Sequence, residues 1–271
     1  MSDAVEQHYS SGTLQQRVLD ALVASGLDPD HLAPEALGPM EEFHTFGPLA
    51  TIALADAAGI TATDRVLDVG SGLGGPARLL ARRHGCHVTG IDLTQELVDV
   101  AVDLTRRVGL VDRVELQQGD ALDLPFPDAA FDVVWTQHVT MNIAAKADLF
   151  AGMRRVCKPG GRLAFFDILA GDVAPIHLPV PWAEEPSVSH LATSAETQRL
   201  LVDAGFTVRA WDDLTTEARA FYDELAATPP APPQPLGLHL LIPDMATKGA
   251  NLARNVAEGR IALVRCIADA T

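Results

Sequence analysis

The sequence predicts an α/β protein: a mostly parallel sheet with helices on both faces. Three observations carry this. From residue 65 onward, short apolar runs alternate with helix-patterned segments; the runs are continuously apolar, not alternating; and a glycine-rich turn joins the first run to the next helix. Strands that alternate with helices require right-handed crossovers, and continuously apolar strands are those covered on both faces.

The elements follow in order. From Ser10 to about Gly59 the chain reads as helices interrupted by Gly26, Pro29 and Pro34, with Leu14, Val18, Leu22 and Val23 at helical spacing and a second helix over 48–58. Arg65–Val69 is the first strand, and 76–84 is helical with Ala77, Leu80 and Ala81 on one face. His87–Asp92 is the second strand, followed by a helix from an N-cap at Thr94 to about Val108. Val114–Gln118 and Phe131–Trp135 are the third and fourth strands. A helix over 144–157 carries Leu149, Phe150, Met153 and Val156, with Asn142 as an alternative cap, and Lys158-Pro159-Gly160-Gly161 ends it by supplying a positive φ. Arg162–Ile168 is the fifth strand. Residues 171–192 are proline-rich, and a helix over 194–204, a strand over 206–211, an acid-rich helix over 216–227 with a solvated face, a proline hinge over 229–233, a helix over 245–258 and a strand over 261–267 complete the chain.

Composition narrows the function. The 271 residues carry 36 acids against 20 bases, a net charge of −16, with 48% hydrophobic residues. That is enough apolar chain for a core and the wrong sign for a nucleic-acid surface. No apolar run reaches a membrane span, and the acidic start at Met1-Ser2-Asp3 is unlike a secretory signal, so a cytoplasmic location is expected. Cys86, Cys157 and Cys266 include no Cys-x-x-Cys pair and read as reduced, mostly buried thiols. The arginine pairs Arg82-Arg83 and Arg154-Arg155 read as solvent-facing.

The turn Gly70-Ser71-Gly72-Leu73-Gly74-Gly75 permits close backbone approach of a ligand and presents a helix N-terminus. On glycines alone it satisfies a dinucleotide fingerprint, which keeps an NAD(P)-dependent oxidoreductase open. The acids argue otherwise. Asp68 ends the first strand, where a carboxylate repels a pyrophosphate but suits a cationic amine or sulfonium. Asp92, 22 positions after Gly70, ends the second strand where an acid accepts from ribose hydroxyls. Asp120 follows the third strand, placed either to accept from an exocyclic adenine amine or to cap a helix. No Tyr-x-x-x-Lys pair is visible. All three acids fall at carboxyl ends of consecutive parallel strands, the ligand-binding edge of such sheets. A ligand with ribose, adenine and a cationic amino-acid tail but no phosphate fits them, and S-adenosylmethionine has those parts.

Residues from about 60 to 170 resemble a class I S-adenosylmethionine-dependent methyltransferase. The matching pieces are Leu67–Gly75, Gly90-Ile91-Asp92-Leu93, Gln118-Gly119-Asp120-Ala121, Leu124–Asp128, Phe131-Asp132-Val133-Val134 and Lys158–Gly161. Ser71 departs from the pattern, since relatives often carry cysteine there. The resemblance implies a Rossmann-like seven-stranded sheet and a cofactor set of Asp68, Gly70, Ser71, Gly72, Asp92, Leu93, Gly119, Asp120, Ala121 and Gln137. S-adenosylhomocysteine is the expected product, and no metal is required. The segments Glu42–Gly47 and Trp135–His138 extend the resemblance to the small-molecule branch that includes sarcosine/dimethylglycine methyltransferases and natural-product O-methyltransferases.

That branch implies a helical lid over residues 1–59 and a methyltransferase domain over 60–271 with substrate-cap insertions near 171–192 and 216–258. His138, after the fourth strand, is the expected general base or orienting group, because a neutral imidazole accepts protons at neutral pH; a packed or capping histidine is the alternative. Phe43, His44, Tyr9 and Trp182 are expected to face substrate, each with a packing role as the alternative. N-methylation of a small amine or amino-acid-like molecule is the leading expectation, and O- or C-methylation of a natural-product scaffold is its rival. A cofactor-binding protein without catalysis remains a third possibility. The expected partner is a small molecule, not nucleic acid or membrane. Oligomeric state stays open, a homodimer included.

Overall fold

Seven strands form one sheet in the order β3-β2-β1-β4-β5-β7-β6. The computed structural model describes Tyr9, residues 12–228, Pro232 and residues 234–271, so Ser10 and most of the expected proline hinge lie outside the described residues. Helix α1 (Leu14–Ala24), the short turn α2 (Gly38–Glu41) and helix α3 (Pro48–Ala58) precede the sheet. Then come β1 (Arg65–Val69), α4 (Gly75–His84), β2 (His87–Asp92), α5 (Gln95–Arg107), β3 (Val114–Gln118), β4 (Phe131–Gln137), α6 (Lys146–Val156) and β5 (Cys157–Ala170). The chain closes with α7 (Ser194–Asp203), β6 (Phe206–Asp213), α8 (Thr215–Ala227), α9 (Met245–Ala257) and β7 (Ile261–Ala270). β1 to β5 pair in parallel, and only β7 runs against its neighbours.

The side-chain alternation of the strands sorts the core into two layers. Val66, Trp135, Ala164 and Phe166 face one side and pack under α3 and α4. Leu67, Val134, Leu163 and Phe165 face the other and pack under α6. A third cluster joins α1, Leu37 and Met40 to α5 and to Leu236–Ile242, which ties the amino-terminal segment and a late loop onto the same end of the sheet. All three cysteines are buried and free. Among the described residues, no helix is long and apolar enough to cross a membrane.

Three local expectations need correction. The Lys158–Gly161 stretch does not form a helix cap. It continues as the first part of β5, where a register shift opposite Phe131–Val133 lets Gly160 take φ +74° in a bulge. Asn142 does not cap α6: its side-chain amide donates to the carbonyls of Trp182 and Val188 at 2.8 and 2.9 Å, which fixes the loop after β5. Arg154 does not simply face solvent, for its Nε donates to the Gly205 carbonyl at 3.0 Å and braces the β6 edge.

Helix α9 docks on the loop after β5 through one polar stripe. Asn255 both donates to and accepts from the His177 backbone, Asn251 donates to the Pro179 carbonyl, Lys248 pairs with Glu184, and Glu258 pairs with His177 at 2.8 Å. Positions 248, 251, 255 and 258 share one helical face.

Candidate active site

The sheet order reverses between β1 and β4, and a crevice opens beyond their carboxyl ends, as expected at such a switch point. β1 delivers Asp68 and then the glycine turn. Gly70 takes φ +78°, and a Cβ there would stand 2.3 Å from Val139; only glycine satisfies both constraints. The Gly70 and Ser71 amides donate to the Ile91 carbonyl, which ties the turn to β2. Gly72, at φ +52°, has open space where a Cβ would sit, and its amide donates to Asp92 Oδ2 at 2.9 Å. Asp92 Oδ1 accepts from the amide of Thr94, which stands at the N-cap position of α5 without a capping bond from its own side chain.

Asp68 differs from Asp92. Its side chain is 2% exposed and its Oδ2 has no partner among the described residues. Burial lifts its pKa to about 8, with the charges of Asp92 and Glu42 adding to the effect. Burial also raises Asp92, against the pull of the Thr94 and Gly72 amides. Asp120 is exposed at the rim, where its Oδ1 accepts from the Leu122 amide in a local turn that starts no helix.

β4 delivers Gln137 and His138. The Gln137 Oε1 accepts from Trp135 Nε1 at 3.0 Å and from the Thr51 hydroxyl at 3.2 Å, leaving its Nε2 buried without a partner. His138 adopts φ +51°, uncommon for a side chain with a Cβ, and its amide donates to the Phe166 carbonyl. The next turn is held by Asp167, buried in β5, whose Oδ2 accepts from the Thr140 amide at 2.7 Å. The His138 Nε2 has no partner among the described residues, and burial with the nearby His44 pushes its pKa far below the ordinary 6.5. The imidazole is therefore neutral.

The segment after α2 forms the opposite wall. His44 Nε2 lies 3.0 Å from Glu42 Oε2, and its ring meets that of His138 edge-on at 5.9 Å. Glu41 pairs with the buried Arg78 on α4, which also donates to the Leu73 carbonyl at 2.7 Å. A Cβ on Gly75 would stand 2.7 Å from the Glu41 carbonyl, so this glycine permits the close approach of wall and helix.

Two adjoining cavities result. The inner one, about 390 Å³, is bounded by every residue expected at the cofactor, Asp68, Gly70, Ser71, Gly72, Asp92, Leu93, Gly119, Asp120, Ala121 and Gln137. The outer one, about 600 Å³, lies between the loop after β5 and helices α8 and α9. Tyr9, Phe43, His44 and His138 border both. Trp182 borders only the outer cavity, and its Nε1 also donates to Ser189, so it combines wall and loop-packing roles. The acids of α8 face solvent as expected, while Phe221, Tyr222, Leu225 and Ala226 of the same helix border the outer cavity.

Residues 67–165 match the family model described as a methyltransferase domain. The chain is similar to a glycine/sarcosine/dimethylglycine N-methyltransferase from Actinopolyspora halophila, 37% identical over 50% of this chain and 24% of the relative. An erythromycin 3''-O-methyltransferase from Saccharopolyspora erythraea is 38% identical over 49% of this chain and 42% of its own length. The match thus spans less than half the length of either curated relative. Among solved structures, a geranyl diphosphate methyltransferase in complex with geranyl diphosphate and sinefungin superposes with a TM-score of 0.73 at 21% identity, covering 100% of this chain and 99% of that one. At that identity the likeness speaks for the fold.

Sequence reasoning passed over Glu41, Arg78, Thr51 and Asp167. Thr51 and Asp167 left a trace, as polar residues inside otherwise apolar elements. The Glu41–Arg78 pair left none, because the partners lie 37 positions apart with no shared pattern.

Proposed function

We propose that this chain is an S-adenosylmethionine-dependent methyltransferase acting on a small molecule, with the inner cavity for the cofactor and the outer one for the acceptor. The observation that carries the reading is the Asp68 carboxylate, buried with one oxygen unpartnered against the glycine turn. Ionising a buried carboxyl without a partner is costly, which is why Asp68 holds its proton up to about pH 8 in the ligand-free chain, and a cationic amino group entering the inner cavity offsets that cost and pairs with the carboxylate. Gln137 Nε2, the other orphaned polar atom here, donates to the carboxylate of the same methionine moiety. Asp92 accepts from ribose hydroxyls with the lone pairs its amide partners leave free. Asp120 accepts from the adenine amine at the rim, and Leu93, Gly119 and Ala121 flank the adenosine.

When bound, S-adenosylmethionine supplies a methyl carbon activated by a positive sulfur. The chain aligns the acceptor and excludes water. His138 stands where the two cavities meet, neutral and with Nε2 free, and takes the acceptor proton. His44, held by Glu42, orients the acceptor from the facing wall.

Of the finer readings, the geometry favours a hydroxyl or acidic carbon on a scaffold over a small amino-acid-like amine, because Met141, Ile168, Trp182 and Leu252 dominate the outer walls. Amine methylation is the second reading, supported by the Glu42 carboxylate at that cavity. A labelled-methyl transfer screen across phenol, sugar, amine and keto-acid pools, with mass spectrometry of the product, decides between them. Thermal stabilisation by S-adenosylhomocysteine is expected; stabilisation by NADH alone would overturn the reading in favour of an oxidoreductase.

A further inference from the structure

The outer cavity also bears on what kind of molecule it admits. It is the larger of the two, at about 600 Å³ against about 390 Å³, and lies in the range of small-molecule pockets. Among the described residues, neither lysine nor arginine borders it. Lys248 projects from α9, but it is committed to Glu184 in the loop after β5 and stands outside the lining. Deep in the cavity stand the Glu42 carboxylate and two imidazoles. The Thr45 and Tyr222 hydroxyls, from two different elements, bond each other at 2.8 Å and so offer little to a ligand. Phe221, Leu225, Ile242, Met245 and Ala253 add apolar wall.

A phosphate, diphosphate or carboxylate placed here meets a carboxylate and finds no cation; its desolvation is uncompensated. An apolar body gains from burial along the length of the chamber, and methionines accommodate irregular shapes. From this juxtaposition, an apolar chamber with no cation and with its hydrogen-bonding groups gathered at the cofactor end, we infer that the acceptor is an uncharged, predominantly apolar molecule that carries its reacting group at one end and lacks phosphate. The solved fold relative holds geranyl diphosphate, so the inference separates this chain from that ligand on charge. It rests on the proposed methyltransferase reading.

The test uses the full chain loaded with S-adenosylhomocysteine, whose binding is measured first by calorimetry. The uncharged dye Nile red is then titrated by fluorescence, and geraniol and geranyl diphosphate, one carbon skeleton with and without charge, compete against it. Gly249→Trp, on the α9 wall, fills the chamber without touching the cofactor cavity. The expected result is dye uptake by the wild type, at least about tenfold weaker uptake by Gly249→Trp with unchanged S-adenosylhomocysteine affinity, and competition by geraniol at least about tenfold stronger than by geranyl diphosphate. Three outcomes overturn the inference alone: no dye uptake, uptake indifferent to Gly249→Trp, or geranyl diphosphate competing as well as geraniol. Failure of the wild type to bind S-adenosylhomocysteine overturns the reading beneath it instead.

Discussion

Between its ordinary pKa of 3.8 and about 8, the Asp68 carboxyl holds a proton in the folded chain that it has lost in the unfolded one. The unfolded chain then binds fewer protons, and this group lowers stability as pH rises from about 4 to about 8. Asp68→Asn is therefore expected to make the ligand-free protein more stable than wild type at pH 8, with little difference at pH 4, in thermal melts. The same change is expected to weaken S-adenosylhomocysteine binding at least about tenfold, or ~1.4 kcal/mol, by calorimetry. His138 behaves oppositely. Burial holds its imidazole neutral, so it contributes no limb to the pH–rate profile between pH 6 and 8. His138→Ala is expected to lower kcat by about 10²- to 10⁴-fold while S-adenosylhomocysteine affinity stays within about threefold. An unchanged kcat would return His138 to a packing role.

At the scale of elements, helix α9 and the loop it holds act as one piece. Asn255 is fully buried and satisfies both the N–H and the carbonyl of His177. Asn255→Ala leaves those groups unpaired and is expected to cost about 1–3 kcal/mol, read as a lower midpoint in urea. Hydrogen exchange over residues 175–184 should rise, with β1 to β4 unchanged. The elements themselves were legible because hydrophobic period and glycine or proline breaks report local structure; the α3 bounds and the β3 bounds agree with the sequence reading. The β5 bulge was not legible. Pro159 and Gly160 end a helix and open a bulge equally well, and only the pairing of β4 with β5 decides between them. The polar stripe on α9 was likewise invisible, since its partners are backbone and side-chain groups of a loop more than 60 positions away.

For the molecule as a whole, a ligand in the inner cavity touches groups contributed by α2, the glycine turn and three strand ends. Saturation with S-adenosylhomocysteine at about 100 times its Kd is expected to add ~2.7 kcal/mol. Thermal denaturation should shift upward by roughly 5–10 °C, and proteolysis within residues 12–46 should slow. That these residues line one cavity was readable because Asp68, Asp92 and Asp120 follow strands at fixed places. The outer cavity was readable only in part: Phe43, His44 and Trp182 were singled out, but Phe221, Leu225 and Met245 on two late helices carry no motif that marks them. That division has a consequence for descent. The family match covers residues 67–165, whereas most of the outer walls are built before and after it. On the proposed reading, a lineage can exchange its acceptor by rewriting the two ends of the gene while the stretch between them, which lines the inner cavity, stays fixed. Chimaeras that graft a relative's flanking segments onto this central stretch would inherit the relative's substrate and keep this chain's cofactor affinity.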